Sequence, residues 1–105
     1  MDYDLEVLQA AFEIVMKLDV QYRQASFNDK VKLKKVRDEV FNTFSLARLK
    51  LLEDGMICTA ADVQKMKDLK VKVQSAMALP TGVLSQLLPL FGPAGGFVGL
   101  LTKFL

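Results

Sequence analysis

Histidine is absent from this chain of 105 residues, and cysteine occurs once. With no imidazole and a single thiol, the usual structural zinc sets and every histidine-based catalytic triad are ruled out. Cys58 has no partner for an intramolecular disulfide, and its neighbours Met56 and Ile57 suggest an apolar setting where a thiol packs as a small hydrophobe. A reducing, cytoplasmic compartment is the expected setting. The start, Met1-Asp2-Tyr3-Asp4, is acidic where a secretory leader is basic, so no cleavable export signal is expected.

Charge is missing as well, in one place. From Val73 to Thr102 no side chain is charged, whereas residues 1–72 hold every Asp and Glu and all of the Lys and Arg except Lys103. Proline and glycine are scarce elsewhere. All three prolines (Pro80, Pro89, Pro93) and five of the six glycines (Gly82, Gly92, Gly95, Gly96, Gly99) lie in that same stretch, so it is apolar without being one simple helix. Such a segment must be sheltered by the protein's own core, by a partner chain or by a bilayer.

The length suits one core and is too short for two. The expected fold is all-α: an amphipathic three-helix antiparallel bundle over residues 1–78, followed by an uncharged hydrophobic arm over residues 79–105. Residues 1–29 carry a net charge of −4, residues 30–72 carry +5 and the tail adds +1. That dipolar arrangement fits helices facing one another with complementary charge better than a general polyanion binder.

Three amphipathic helices are read from the spacing. Over residues 3–25, Leu5, Leu8, Phe12, Val15 and Tyr22 recur at three- and four-residue intervals, and a second row at Val7, Ala11, Ile14 and Leu18 widens the apolar stripe. Asp2, Asp4 and Glu6 sit at the start of that helix, where its dipole favours acids. Ser26 and Asp29 then form a variant capping box, so the first two helices are expected to pair antiparallel. Helix two presents Leu33, Val36, Val40, Phe44, Ala47 and Leu51, supplemented by Phe41, Leu49 and Leu52, and stops at Gly55 after about 26 residues, roughly 39 Å. Thr59 and Asp62 repeat the capping logic, with Cys58 stapled to Val63. Helix three buries Val63, Met66, Leu69, Val73 and Ala76 and ends before Pro80.

The arm is expected to hold one or two short helices. A run at 83–88 is kinked or terminated by Pro89, and a second helix starts at Pro93. From Pro93 to Leu105 there are 13 residues, about 20 Å of helix against roughly 30 Å for a hydrocarbon core. Neither piece spans a bilayer alone, but residues 80–105 together could form a bent span, a re-entrant hairpin or two core helices.

Two sets of arm residues are candidates for function. Leu84, Leu87, Leu88, Phe91, Phe97, Leu100, Leu101 and Phe104 form the greasy surface that would meet a membrane or a partner. Gly92, Gly95, Gly96 and Gly99 contain two overlapping small-xxx-small pairs that let another backbone approach closely. A third set is basic: Lys30, Lys32, Lys34, Lys35 and Arg37, interleaved with Val31, Leu33 and Val36, which suits an anionic lipid surface. Its plainer reading is a solvated face opposite Asp19 and Glu13 of helix one. Neither an aromatic stacking platform nor a reading motif accompanies it, which argues against nucleic acid.

No catalytic, cofactor or metal site is read from the residues. Glu53-Asp54 and Asp38-Glu39 are neighbours that point to different sides of a helix, and Cys58 has no adjacent cation to activate it. Tyr3 and Tyr22 read as aromatics at the edge of the core.

Two functions follow as expectations. One is a non-catalytic helical protein whose arm engages or inserts into a membrane, peripherally or integrally at its inner face. The other is a soluble helical adaptor or oligomerisation module whose arm folds back to complete the core, binding a protein partner or a second copy of itself.

Overall fold

Asp2 opens the first helix by accepting a hydrogen bond from the Leu5 amide, 3.1 Å away. In the computed structural model, which describes residues 2–79 and 83–105, this begins an all-α protein of five helices with no strand among the described residues. They are α1 (Tyr3–Gln24), α2 (Phe27–Asp54), α3 (Ala60–Met77), α4 (Val83–Phe91) and α5 (Phe97–Thr102).

The caps fall where side-chain acceptors meet free amides. Ser26 accepts from the Asp29 amide at 3.3 Å, and Thr59 with Asp62 completes a reciprocal capping box at the start of α3. Between α2 and α3 the chain turns through Gly55 and Met56, both at positive φ (65° and 55°). Only glycine takes that conformation freely, so Met56 holds a strained backbone while its side chain stands 98% exposed. Pro80, the expected stop of α3, lies with Gly82 outside the described residues; α3 itself ends at Met77.

Helix α1 is the middle of a layer. It packs along α2 on one side and α3 on the other, while α2 and α3 meet mainly through α4 and α5, which pack on both. The register is legible in side chains. Phe12 lies against Phe44 with ring centroids 6.2 Å apart, and Asp19 binds Arg37, so α2 runs antiparallel to α1. Glu6 reaches Lys67 and Glu13 reaches Lys70, so α3 runs parallel to α1. With 28 residues, about 42 Å of helix, α2 alone accounts for the 41 Å long axis.

One core joins residues of all five helices. Its α1 contribution is Val7, Ala11, Ile14 and Leu18, with Leu8 and Val15 beside them. The other expected row on α1 divides: Leu5 and Phe12 turn outward. Likewise Leu49 and Leu52 of α2 are exposed, while Leu33, Val40, Ala47 and Leu51 are buried. Both rows of α1 have helical spacing, and an isolated helix gives no reason to prefer one; the side on which α2 and α3 pack decides which residues are inside.

The arm also departs from expectation in detail. Pro89 does not end α4, because it stands in the last turn, where its missing N–H costs a single intrahelical bond. The helix expected from Pro93 to Leu105 is reduced to α5 (Phe97–Thr102). Gly95 at φ 79° and the extended Gly96 interrupt it, and residues 93–95 form a turn instead.

Candidate interaction surface

The arm's apolar side chains face inward. Leu87, Phe91, Phe97, Leu101 and Phe104 are buried, and Leu84, Leu88 and Leu100 are partly buried against the same core. The Phe91 and Phe97 rings meet at 6.4 Å, tilted by 49°, across the turn that joins α4 to α5. No described helix is long and apolar enough to cross a membrane.

The four glycines serve that turn. A Cβ on Gly96 would stand 2.7 Å from the Gly92 amide nitrogen and from the Gly92 and Leu90 carbonyl oxygens, and one on Gly99 would collide with the Pro93 carbonyl. The Gly99 amide donates to the Gly92 carbonyl at 3.3 Å. The close approach is therefore between α5 and the end of α4. Gly95 supplies the positive φ and has no neighbour that a methyl would meet.

The arm is locked at its far end by charge. Lys103, its one cation, forms an ion pair with the buried Asp62, the partner of Thr59 in the capping box of α3. Burial works to raise the Asp62 pKa, but the Lys103 ammonium and the Thr59 amide more than offset it and hold the carboxyl below its ordinary value. Nearby, the buried Asp4 accepts from the Cys58 amide at 2.7 Å and the Ile57 amide at 3.2 Å, tying the start of α1 to the loop before α3. Burial again opposes ionisation, and those amides more than compensate, so Asp4 also lies below its ordinary value. Cys58 is pushed up to about 12 by burial and by Asp4. Its thiol is neutral at physiological pH and packs as a hydrophobe.

The basic set is spread over the start of α2 and is partly consumed within the protein. Arg37 binds Asp19 at 3.1 Å and lies over the rings of Tyr22 (4.9 Å) and Phe41 (4.5 Å). Lys34 pairs with Asp38 at 2.8 Å, which raises its pKa, and Lys30 stands 5.9 Å from the Tyr22 ring centroid. Lys32 and Lys35 are exposed and make no ion pair among the described residues. Glu13 does not meet this cluster: Lys70 of α3 takes it at 2.7 Å and holds it below the usual carboxylate range.

Sequence reading missed a surface on α1. Leu5, Phe12, Met16 and Val20 are 54%, 49%, 40% and 52% exposed and form an apolar ridge along the outer side of the helix. Grooves flank it. One of about 730 Å³ lies toward α2, with Phe44, Arg48 and Leu52 in its wall; another of about 600 Å³ lies toward α3, with Lys70, Gln74 and Met77. The spacing of seven, four and four residues is visible in the chain, but Leu5 and Phe12 read as part of one wide buried stripe, and Met16 and Val20 fall in neither row. Among the described residues no group of three or more carboxylate or thiol side chains is arranged to hold a metal ion. No family model, curated protein or solved structure matches this chain.

Proposed function

We propose that this chain is a non-catalytic helical oligomerisation module: its arm completes its own core, and the outer face of α1 pairs with the same face of a second copy. The observation that carries the reading is the ridge of Leu5, Phe12, Met16 and Val20, half-exposed on a helix whose opposite side is already fully buried. A helix apolar on both sides is normally covered on both sides.

The ridge is complementary to itself. If two copies of α1 cross antiparallel about the level of Val15, Phe12 of one lies between the levels of Met16 and Val20 of the other. On the rim, Glu13 and Lys17, one turn apart, come opposite each other in both directions. Closed twofold pairing through one self-matching patch is the commonest form of homo-oligomer. A cytoplasmic setting fits the single thiol.

The membrane reading of the arm makes a different demand. Leu87, Phe91, Phe97, Leu101 and Phe104 would have to leave the core for lipid, opening to water the apolar faces of α2 and α3 that they cover, at a cost on the order of 10 kcal/mol. That is comparable with the whole stability of a domain this size. Packing of the arm in place therefore favours the oligomerisation reading.

Sedimentation equilibrium of the full chain tests it. Wild type is expected to show concentration-dependent dimerisation, and Phe12→Glu is expected to be monomeric with unchanged helical circular dichroism. A wild type that stays monomeric throughout, or a variant that associates as wild type does, would overturn the proposal.

A further inference from the structure

The first turns of α2 differ from the rest of the surface. Pairing of Phe12 with Phe44 and of Asp19 with Arg37 sets Gln24 level with Lys32, so residues 27–31 of α2 run past the end of α1. On this projection Phe27 is 80% exposed and Val31, one turn on, is 61% exposed. Helix periodicity puts Lys30 and Lys34 on one flank of that apolar pair and Lys35 on the other.

Charge around it is one-sided. Residues 23–37 contain six cations and a single acid, Asp29. Asp19 binds Arg23 and Arg37, and Asp38 binds Lys34 and lies 3.6 Å from Arg37, so these neighbours neutralise part of the set. Lys30, Lys32 and Lys35 have no carboxylate partner among the described residues. Asp29, in the first turn, accompanies the positive end of the helix dipole.

An exposed phenyl ring and a valine at a projecting end, ringed by uncompensated lysines, match the two requirements of reversible attachment to anionic lipid: apolar insertion and electrostatic attraction. We infer that the Phe27–Lys35 end of α2 is a peripheral contact for an anionic membrane surface, Phe27 and Val31 entering the interface, Lys30 and Lys35 on either flank meeting the headgroup phosphates and carboxylates, and Lys32, farther round the helix, adding to the positive potential. Nucleic acid would use the same lysines, but it gives Val31 nothing to do and needs a stacking platform larger than one ring. This contact leaves the arm in its core and does not depend on dimerisation through α1.

Cosedimentation of the full chain with phosphatidylcholine vesicles, with and without phosphatidylserine, tests it. Binding is expected only with phosphatidylserine and is expected to fall as salt rises. Lys32→Glu/Lys35→Glu should weaken it at least about tenfold. Phe27→Ser, which leaves the Ser26 cap and the helical signal intact, should weaken it as well. No binding, equal binding to both vesicles, or wild-type binding by these variants would overturn the inference. So would duplex DNA binding that Lys32→Glu/Lys35→Glu abolishes and Phe27→Ser leaves unchanged, in the absence of vesicle binding.

Discussion

The two sides of α1 are built from the same kinds of side chain and meet different fates. Inward, Val7, Ala11, Ile14 and Leu18 are covered, with α4 and α5 closing the gap between α2 and α3. Outward, Leu5, Phe12, Met16 and Val20 have only the flanks of α2 and α3 beside them. Composition does not separate these sides; the supply of covering chain does. Among the described residues α4 and α5 pack on α2 and α3 at the inward side, and no described helix packs over the outward one. The difference divides stability from association, and substitutions on the two sides should separate accordingly.

The largest effect belongs to the covered side. Phe97→Ala removes a fully buried ring that packs on Phe91, and a loss of about 3–5 kcal/mol is expected in urea denaturation. A cost below about 1 kcal/mol would place that ring outside the core and erase the distinction between the two sides.

Next comes the polar lock at the bottom of the layer. Asp4 and Asp62 both have folded pKa values below their unfolded ones, so their stabilisation is complete above the unfolded carboxylate value of about 3.9. It is lost as pH falls through the depressed folded values. Acid titration of the circular dichroism signal should therefore show a cooperative loss beginning below about pH 4. Asp4→Asn should lower neutral-pH stability by about 1–3 kcal/mol and flatten the acid limb. An unchanged acid limb in that variant would mean that the Cys58 and Ile57 amides do not hold the carboxylate.

The smallest change in stability is expected on the bare side. Phe12→Glu removes a ring already half in water, costing about 1 kcal/mol, while abolishing self-association. If instead it unfolds the protein as Phe97→Ala does, the ridge is core and the two sides of α1 are equivalent.

Much of this was legible in the chain. Each cap acceptor at Ser26 and Thr59 lies three residues from its donor, so local spacing suffices to find it. The buried face of α3 was equally plain, because Met66 and Leu69 have a charged residue on both sides and Val63 and Val73 on one, which sets off the apolar row at helical spacing. Three things were not. Asp4 reads as an ordinary first-turn acid, and no spacing rule reaches its partner amides more than 50 residues away. The two rows of α1 could not be assigned to inside and outside. The arm's lack of charge announced a need for shelter without saying what provides it, since lipid and a protein core ask for the same side chains.

Native-state amide hydrogen exchange of the full chain puts the arm's place to the most direct test. The amides of Leu87, Phe91 and Leu101 should open with the same free energy as those of Ile14 and Val40, because all five belong to one core that unfolds together. Arm amides that exchange near the unprotected rate while Ile14 and Val40 stay fully protected would contradict it.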